Sequence, residues 1–442
     1  MINQYIRVDW LAIIMLAVVW LVGLVVGVYA YHYMRLERHY KQFMLYLVSL
    51  IISISIFFMS NNVIMSVLTW TGANLFLVNL MGSKTRWLAA KASARLAFLN
   101  LMSGSALFAI SIGMLAYAAA SLQIDVITNA ANLNPVIVVI AMSCLIIAAM
   151  LQAALWPFNS WLISSLNSPT PVSAVMHAGL VNGGGYLLLR FSNICMHMPI
   201  MMHVIFIFGC ISAVLGSAIK LVQSDVKRQL ACSTMSQMGF MTMLVGLGLL
   251  PIALTHLVLH AFFKANLFLG FNNSLFERKL RIAKSLKLRE WIACVVFSLI
   301  GFSLFYLGFN HRPALDSWSF IGVFLACVVF QLVMMSYARV VEHKNIFILA
   351  VLISSWLYGW YVGLVEKILL PHVYIIPVDF DNLHIAALAV MTAVWLVFVF
   401  RYSLNQFGWC KSMRNYLYVR LLNAGQPDPE TVTVSRQSYN FQ

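Results

Sequence analysis

The stretch from Trp10 to Tyr31 contains no charged side chain, and apolar runs of similar length recur along most of the chain. Such a run is long enough to cross the hydrocarbon of a bilayer, which takes about 20 residues of helix. Composition points the same way: of 442 residues, 62% are hydrophobic and 9% charged, against roughly 25% charged in soluble domains. So few charges cannot cover a water-facing surface. An all-α polytopic membrane protein is therefore expected, because lipid accepts only backbones whose hydrogen bonds are satisfied internally. A soluble enzyme, a nucleic-acid binder and a secreted scaffold are excluded. The first run lacks a basic segment before it and is too long for a signal-peptide core, so it is expected to be a retained first helix.

The apolar runs predict thirteen transmembrane helices, near 10–31, 42–60, 62–82, 97–120, 133–156, 172–190, 199–221, 229–249, 252–272, 291–309, 317–338, 346–365 and 384–402. An odd number puts the termini on opposite sides, and the basic residues choose between the two arrangements. With the N-terminus outside, the outer segments hold Arg7, Arg190, Arg312 and Lys367, while Lys264 lies inside a span. Every other one of the 28 Lys and Arg residues falls on the inner side. This asymmetry places the C-terminus in the cytoplasm and accounts for the net charge of +15 without a nucleic-acid partner. Residues 1–402 then form a transmembrane domain and 403–442 a cytoplasmic tail, in which GQPDPE (425–430) should end any helix.

The loop FERKLRIAKSLKLRE (276–290) sets Leu280, Ala283, Leu286 and Leu288 among six basic residues. It suits a helix lying on the anionic inner leaflet, a docking surface for a cytoplasmic partner, or a plain connection. The seven cysteines are isolated, with no Cys/His pair at zinc-ligand spacing, so neither a disulfide framework nor a metal or cofactor site is expected in this chain. No nucleophile–base pair is apparent either, and the chain is not expected to be an enzyme on its own.

Ionisable groups within the bilayer are costly and mark functional sites by default. His256, His260 and Lys264 recur every four residues in THLVLHAFFKANLFL, so on a helix they form one stripe. Two imidazoles and an amine at that spacing can pass a proton or hold ordered water; the alternative is a polar face that bonds to neighbouring helices. His177 precedes Asn182 and the triplet Gly183–Gly185, whose missing side chains let another backbone come close. Upstream, Pro157, Pro169 and Pro171 interrupt a segment rich in Ser and Asn. Proline breaks a helix, and irregular backbone at membrane depth belongs in the protein interior or beside a water-filled cavity. Asp225, Lys227 and Arg228 stand at the inner edge of a span that carries Ser233, Thr234, Ser236 and Gln237. Lys227 reads either as a positive-inside anchor or as the inner member of a polar axis.

Three segments, PFNSWLISSLNSPTPVSAVMHAG, SDVKRQLACSTMSQMGF and HLVLHAFFKANLFL, resemble in order and spacing the antiporter-like membrane subunits of respiratory complex I (NuoL-type) and of Mrp antiporters. The resemblance covers roughly residues 60–275. It implies a pair of inverted five-helix repeats, helices 2–6 and 7–11, each with a broken helix, and an ion pathway through Lys264, His260, His256, His177, Lys227 and Asp225. Two departures stand out. The family's W-E-G glutamate corresponds to Thr71 in WTGANLFLVNLMG, and its lysine before the broken-helix proline corresponds to Gln152.

Within the superfamily, HAGLVNGGGYLLLR is similar to the DabB-type subunits of bacterial inorganic-carbon transporters. That resemblance implies an inner-membrane subunit that conducts a cation, H+ or Na+. Its partner would be a cytoplasmic, carbonic-anhydrase-like DabA protein, in which the zinc would reside. Two other readings compete. An antiporter-like subunit of a Mrp, hydrogenase or complex I assembly would share the motifs. A non-conducting anchor would explain Thr71 and Gln152, against the intact His256/His260/Lys264 stripe.

Overall fold

The structure, a computed structural model, describes residues 2–84, 87–130, 133–270, 286–309, 317–338, 343–369, 381–399 and 408–432. Among these residues the chain is helical, with only isolated bridges such as Ile6↔Ser60 and Asn62↔Gln123 outside the helices. Eleven described helices have the length and apolarity of a membrane span. They correspond to eleven of the thirteen expected spans. The two remaining runs do form helices, Val226–Gly246 and Asn382–Val399. The former is loaded with Lys, Arg, Gln, Ser and Thr in its first three turns, and the latter keeps only a shorter apolar stretch, Asn382–Val397. The helix Leu88–Ala119 begins earlier than the apolar run predicts, and its 32 residues span about 48 Å. Lys91 and Arg95 occupy its first two turns, where they can lie beyond the hydrocarbon.

Two compact units divide the chain. The first comprises Met1–Gly246, His256–Asn273 and Arg414–Gln442; the second, Leu247–Thr255 and Ser274–Met413. In the first unit, backbone bonds from Asn61 N–H to Tyr5 O, from Ile124 N–H to Asn61 O and from Val63 N–H to Leu122 O tie three inter-helix junctions together. The start of the helix Trp10–Tyr33, the turn after Tyr40–Met59 and the turn after Leu88–Ala119 thus share one end of the unit, as alternate threading of successive helices requires. Helices Pro199–Val222 and Val226–Gly246 pack backbone to backbone. A Cβ on Gly239 would stand 2.5 Å from Ala213 N, and one on Gly216 2.6 Å from Ser236 N, so only glycine permits this approach.

At the opposite end of the first unit, the segment after the helix Gly408–Ala424 folds back onto the bundle. Asn167 Nδ2 donates to Thr431 O at 2.8 Å, Asp428 N to Ser164 Oγ at 3.0 Å, and Arg228 Nη1 to Gln426 Oε1 at 3.4 Å. Gly425, Pro427 and Thr431 are buried. The GQPDPE segment does end the helix at Ala424, but residues 425–431 pack against the bundle instead of trailing into solvent.

The second unit contains Leu288–Phe309, Ser317–Ala338, Lys344–Leu369 and Asn382–Val399. Cys294, Val329, Val333, Ile348 and Val351 form its core, with Ser298 Oγ donating to Ala326 O at 2.7 Å and Trp395 Nε1 to Gln331 Oε1 at 3.2 Å. Each of these helices is continuous as described, so the second of the two expected broken helices has no counterpart among the described residues. Residues 276–285 of the basic loop lie outside the described residues. The end of that segment, Leu288–Glu290, opens the following helix, with Lys287 N–H donating to Glu290 Oε2 at 2.7 Å.

Candidate functional site, a buried polar axis

The interruption predicted from Pro157, Pro169 and Pro171 is present. The helix Pro135–Gln152 stops, and the chain runs through irregular backbone, a single turn Ser160–Ile163 and a 3-10 turn Ser165–Asn167 before helix resumes at Thr170. A further irregularity follows: Met176–Leu180 is one turn of π-helix between Thr170–Val175 and Asn182–Arg190. Such insertions mark functional positions in helices, and this one contains His177.

The three glycines after Asn182 face three different neighbours. An added Cβ would lie 2.9 Å from the Trp70 ring at Gly183, 2.5 Å from Ala149 O at Gly184 and 2.6 Å from Met241 Sδ at Gly185. The segment is therefore wedged among helices Val63–Met81, Pro135–Gln152 and Val226–Gly246, where no side chain has room. That contact brings His177 and Asn182 to the residues they bond.

Lys264 is fully buried. Its ammonium donates to Leu230 O at 3.1 Å and closely to Ser233 Oγ, and neither acceptor is charged. Removing an ammonium from water without a counter-ion is costly. One turn along Val226–Gly246 from Leu230, Thr234 Oγ1 lies 3.0 Å from His177 Nδ1. The His177 ring stacks on Phe268 with centroids 4.5 Å apart. His260 Nδ1 lies 3.1 Å from Asn182 Oδ1, and the His256 and His260 rings are stacked 6.4 Å apart. Nε2 of both His256 and His260 is buried with no protein partner.

The structure thus joins four predicted residues, His177, His256, His260 and Lys264, through Ser233, Thr234 and Asn182. Lys227 lies at the basic end, its ammonium donating to Leu166 O at 3.2 Å and Ser168 O at 3.1 Å in the interrupted segment. Asp225 is exposed and accepts from Arg228 N–H at 2.9 Å, which caps the helix, and its charge acts on the neighbouring Lys227 ammonium.

Of the two neutral replacements, Gln152 belongs to a separate polar cluster and Thr71 does not. Gln152 Nε2 donates to Asn74 Oδ1 at 3.0 Å and to Leu180 O at 3.3 Å, and Asn74 Nδ2 donates to Ser105 Oγ at 3.0 Å. Thr71 is only half-buried, so the partner of Gln152 is the residue one helical turn later. Sequence reasoning missed Asn74 because it compared the family position alone; the i, i+3 neighbour on the same face was the available signal. Trp70 Nε1 and Gln152 Oε1 have no protein partner, although both side chains are buried.

Comparison with known proteins places this architecture. Residues 60–335 match the family model described as NADH:quinone oxidoreductase/Mrp antiporter, TM, and residues 2–44 match that of the complex I chain 5 N-terminus. A probable inorganic carbon transporter subunit DabB1 from Halothiobacillus neapolitanus is 33% identical over 279 residues, covering 62% of this chain and 50% of that protein. The NADH-quinone oxidoreductase subunit L of Campylobacter jejuni is 31% identical over 342 residues, covering 73% of this chain and 56% of the relative. The chain thus spans about half the length of these curated relatives. A chain in the structure of the Mrp complex from Dietzia sp. superposes over 95% of this chain and 52% of its own length, with a TM-score of 0.61 at 20% identity. The fold is thus Mrp-like, and the chain belongs to the NADH:quinone oxidoreductase/Mrp antiporter family of multi-span membrane subunits.

Proposed function

We propose that this chain is the energy-coupling membrane subunit of an inorganic-carbon uptake complex. It lets a cation, in our reading a proton, move down its gradient along the buried polar axis, with the N-terminus outside and the C-terminus in the cytoplasm of a bacterial inner membrane. A cytoplasmic, carbonic-anhydrase-like zinc protein of the DabA type is the partner that would use this energy to accumulate bicarbonate. The similarity to DabB-type relatives supports the carbon assignment. The observation that carries the conducting role is Lys264, buried among neutral acceptors and one turn from a stack of two histidines.

Within this reading His256, His260 and Lys264 relay the proton, His177 and Thr234 hold the centre of the axis, and Lys227 anchors its inner end. Lys264→Met should abolish growth that depends on carbon uptake while the complex still assembles. Uptake retained by an assembled Lys264→Met complex would refute the relay.

A second reading, an antiporter-like subunit of a Mrp or complex I type assembly, is favoured by the wider coverage of the Campylobacter relative. It predicts co-purification with other hydrophobic subunits and sodium-sensitive growth on deletion.

A further inference from the structure

The helix that carries Asn182 continues to a second buried charge. Asn182, Tyr186 and Arg190 recur every four residues and so share one face of Asn182–Arg190. Asn182 at one end of that face meets His260. At the other end, Arg190 Nε donates to Tyr186 Oη at 2.9 Å, Nη2 to Phe58 O at 3.1 Å, and Nη1 closely to Asp9 Oδ2. Tyr186 Oη in turn donates to Phe58 O at 2.9 Å, and Arg7 Nε stands 3.1 Å from the same Asp9 oxygen.

Exposure rises steadily along this file. Tyr186 is 2% exposed, and the side chains of Arg190, Asp9 and Arg7 are 6%, 13% and 27% exposed. A buried guanidinium–carboxylate pair adds little to stability against an apolar substitute of the same volume, so stapling the N-terminus is a weak reason to bury two charges. Its place is informative instead. It sits at the end of the axis that the basic-residue distribution puts outside, in line with the helix face that touches His260.

We infer that Asp9, Arg190 and Tyr186 form an ion-pair gate at the outer end of the polar axis, with Asp9 the carboxylate whose protonation from outer water opens it. The inference rests on the proton-conducting reading above. With the pair intact, Asp9, Tyr186 and Phe58 O pin the Arg190 side chain across the mouth and close it. A proton taken from outer water onto the remaining lone pair of Asp9 Oδ1 neutralises the carboxylate and removes the counter-ion of Arg190, whose guanidinium is then free to turn away. A metal cation fits poorly here. Asp9 Oδ1 already accepts from Ala12 N–H at 2.9 Å and Oδ2 from two guanidiniums, which leaves no free set of oxygen ligands, whereas a proton needs one lone pair. The groups facing Asp9 are Arg7, Arg190 and, behind Arg190, Tyr186. Burial alone would raise the Asp9 pKa, but Arg190, the Ala12 N–H and Arg7 together hold it below the usual carboxylate value. The gate is therefore shut at neutral outer pH and opens more often as that side acidifies.

The test is proton flux, read with a pH-sensitive dye in oriented proteoliposomes of the full chain with the subunits that accompany it. Asp9→Asn imitates the protonated carboxylate. It should raise flux at neutral outer pH by about tenfold or more, because the competent fraction no longer limits entry, and remove its dependence on outer pH. Asp9→Glu should restore that dependence, and Tyr186→Phe should retain it. A structural staple would instead lower the amount of complex and leave the pH profile, normalised to protein, unchanged in Asp9→Asn; that result overturns the gate. Lys264→Met separates the two readings. Flux abolished by Lys264→Met but unaltered by Asp9→Asn refutes the gate alone, and flux unaffected by Lys264→Met refutes the conducting axis and the gate with it.

Discussion

Gly184→Ala tests the packing on which the axis depends. The added Cβ would lie 2.5 Å from Ala149 O, 3.0 Å from Ala153 Cβ and 3.1 Å from Ala153 N. Two of these three neighbours are backbone atoms of a helix and its cap, so no side-chain rotation relieves the clash. Ordinary contact begins at 3.4 Å, so the segments must separate by about 0.9 Å, and close-packed interiors yield poorly to such a shift. Overpacking of this kind costs about 1–3 kcal/mol. The same displacement carries Leu180 O away from Gln152 Nε2, now at 3.3 Å, beyond hydrogen-bond range. Gly113→Ala is the control, because a Cβ there meets nothing within 4 Å on an exposed helix face; it should stabilise by about 0.5–1 kcal/mol through helix propensity. Thermal unfolding in mild detergent should therefore separate the two variants by about 1.5–4 kcal/mol, with uptake reduced only in Gly184→Ala. Indistinguishable unfolding of the two variants would refute the close approach and the argument for the glycine triplet.

Three further outcomes follow from the geometry. Gln152→Leu leaves Asn74 Oδ1 and Leu180 O without their shared donor and should cost about 1–3 kcal/mol, measured by the same unfolding assay. Asn167→Ala removes bonds to Ala89 O, Ser93 Oγ and Thr431 O; it should release the segment 425–431 and speed its cleavage by added protease, with little effect if that segment is held elsewhere. Arg190, the Ala12 N–H and Arg7 hold the folded Asp9 carboxyl below the usual carboxylate value of 3.8, so its ion pair contributes fully above about pH 3.8 and is lost as pH falls through the lower folded value. Asp9→Asn should remove that acid limb from a stability–pH profile and leave the profile near neutrality parallel to wild type.

Legibility varied with the range of the signal. The apolar runs located every described membrane helix, because lipid allows few alternatives. The same signal weakened where polar residues cluster, and Val226–Gly246 looks least like a span because Lys227, Ser233, Thr234 and Ser236 bond to neighbouring segments. His256, His260 and Lys264 were readable because their spacing is local to one helix. The Arg190–Asp9 pair was not, since its partners are 181 residues apart and each alone resembles an ordinary helix-end charge. Asn74 escaped because it lies one turn from the position compared. The segment 425–431 was hidden by its polar, proline-rich composition, which resembles a solvated tail until its contacts with Asn167 and Ser164 are seen.

The most direct test of the carbon-uptake assignment is to purify the tagged chain in mild detergent and measure the identity, amount and zinc content of what accompanies it. Inorganic-carbon coupling predicts a large soluble zinc protein at near-equal amount. A set of hydrophobic antiporter or redox subunits, with no such protein, would contradict the assignment.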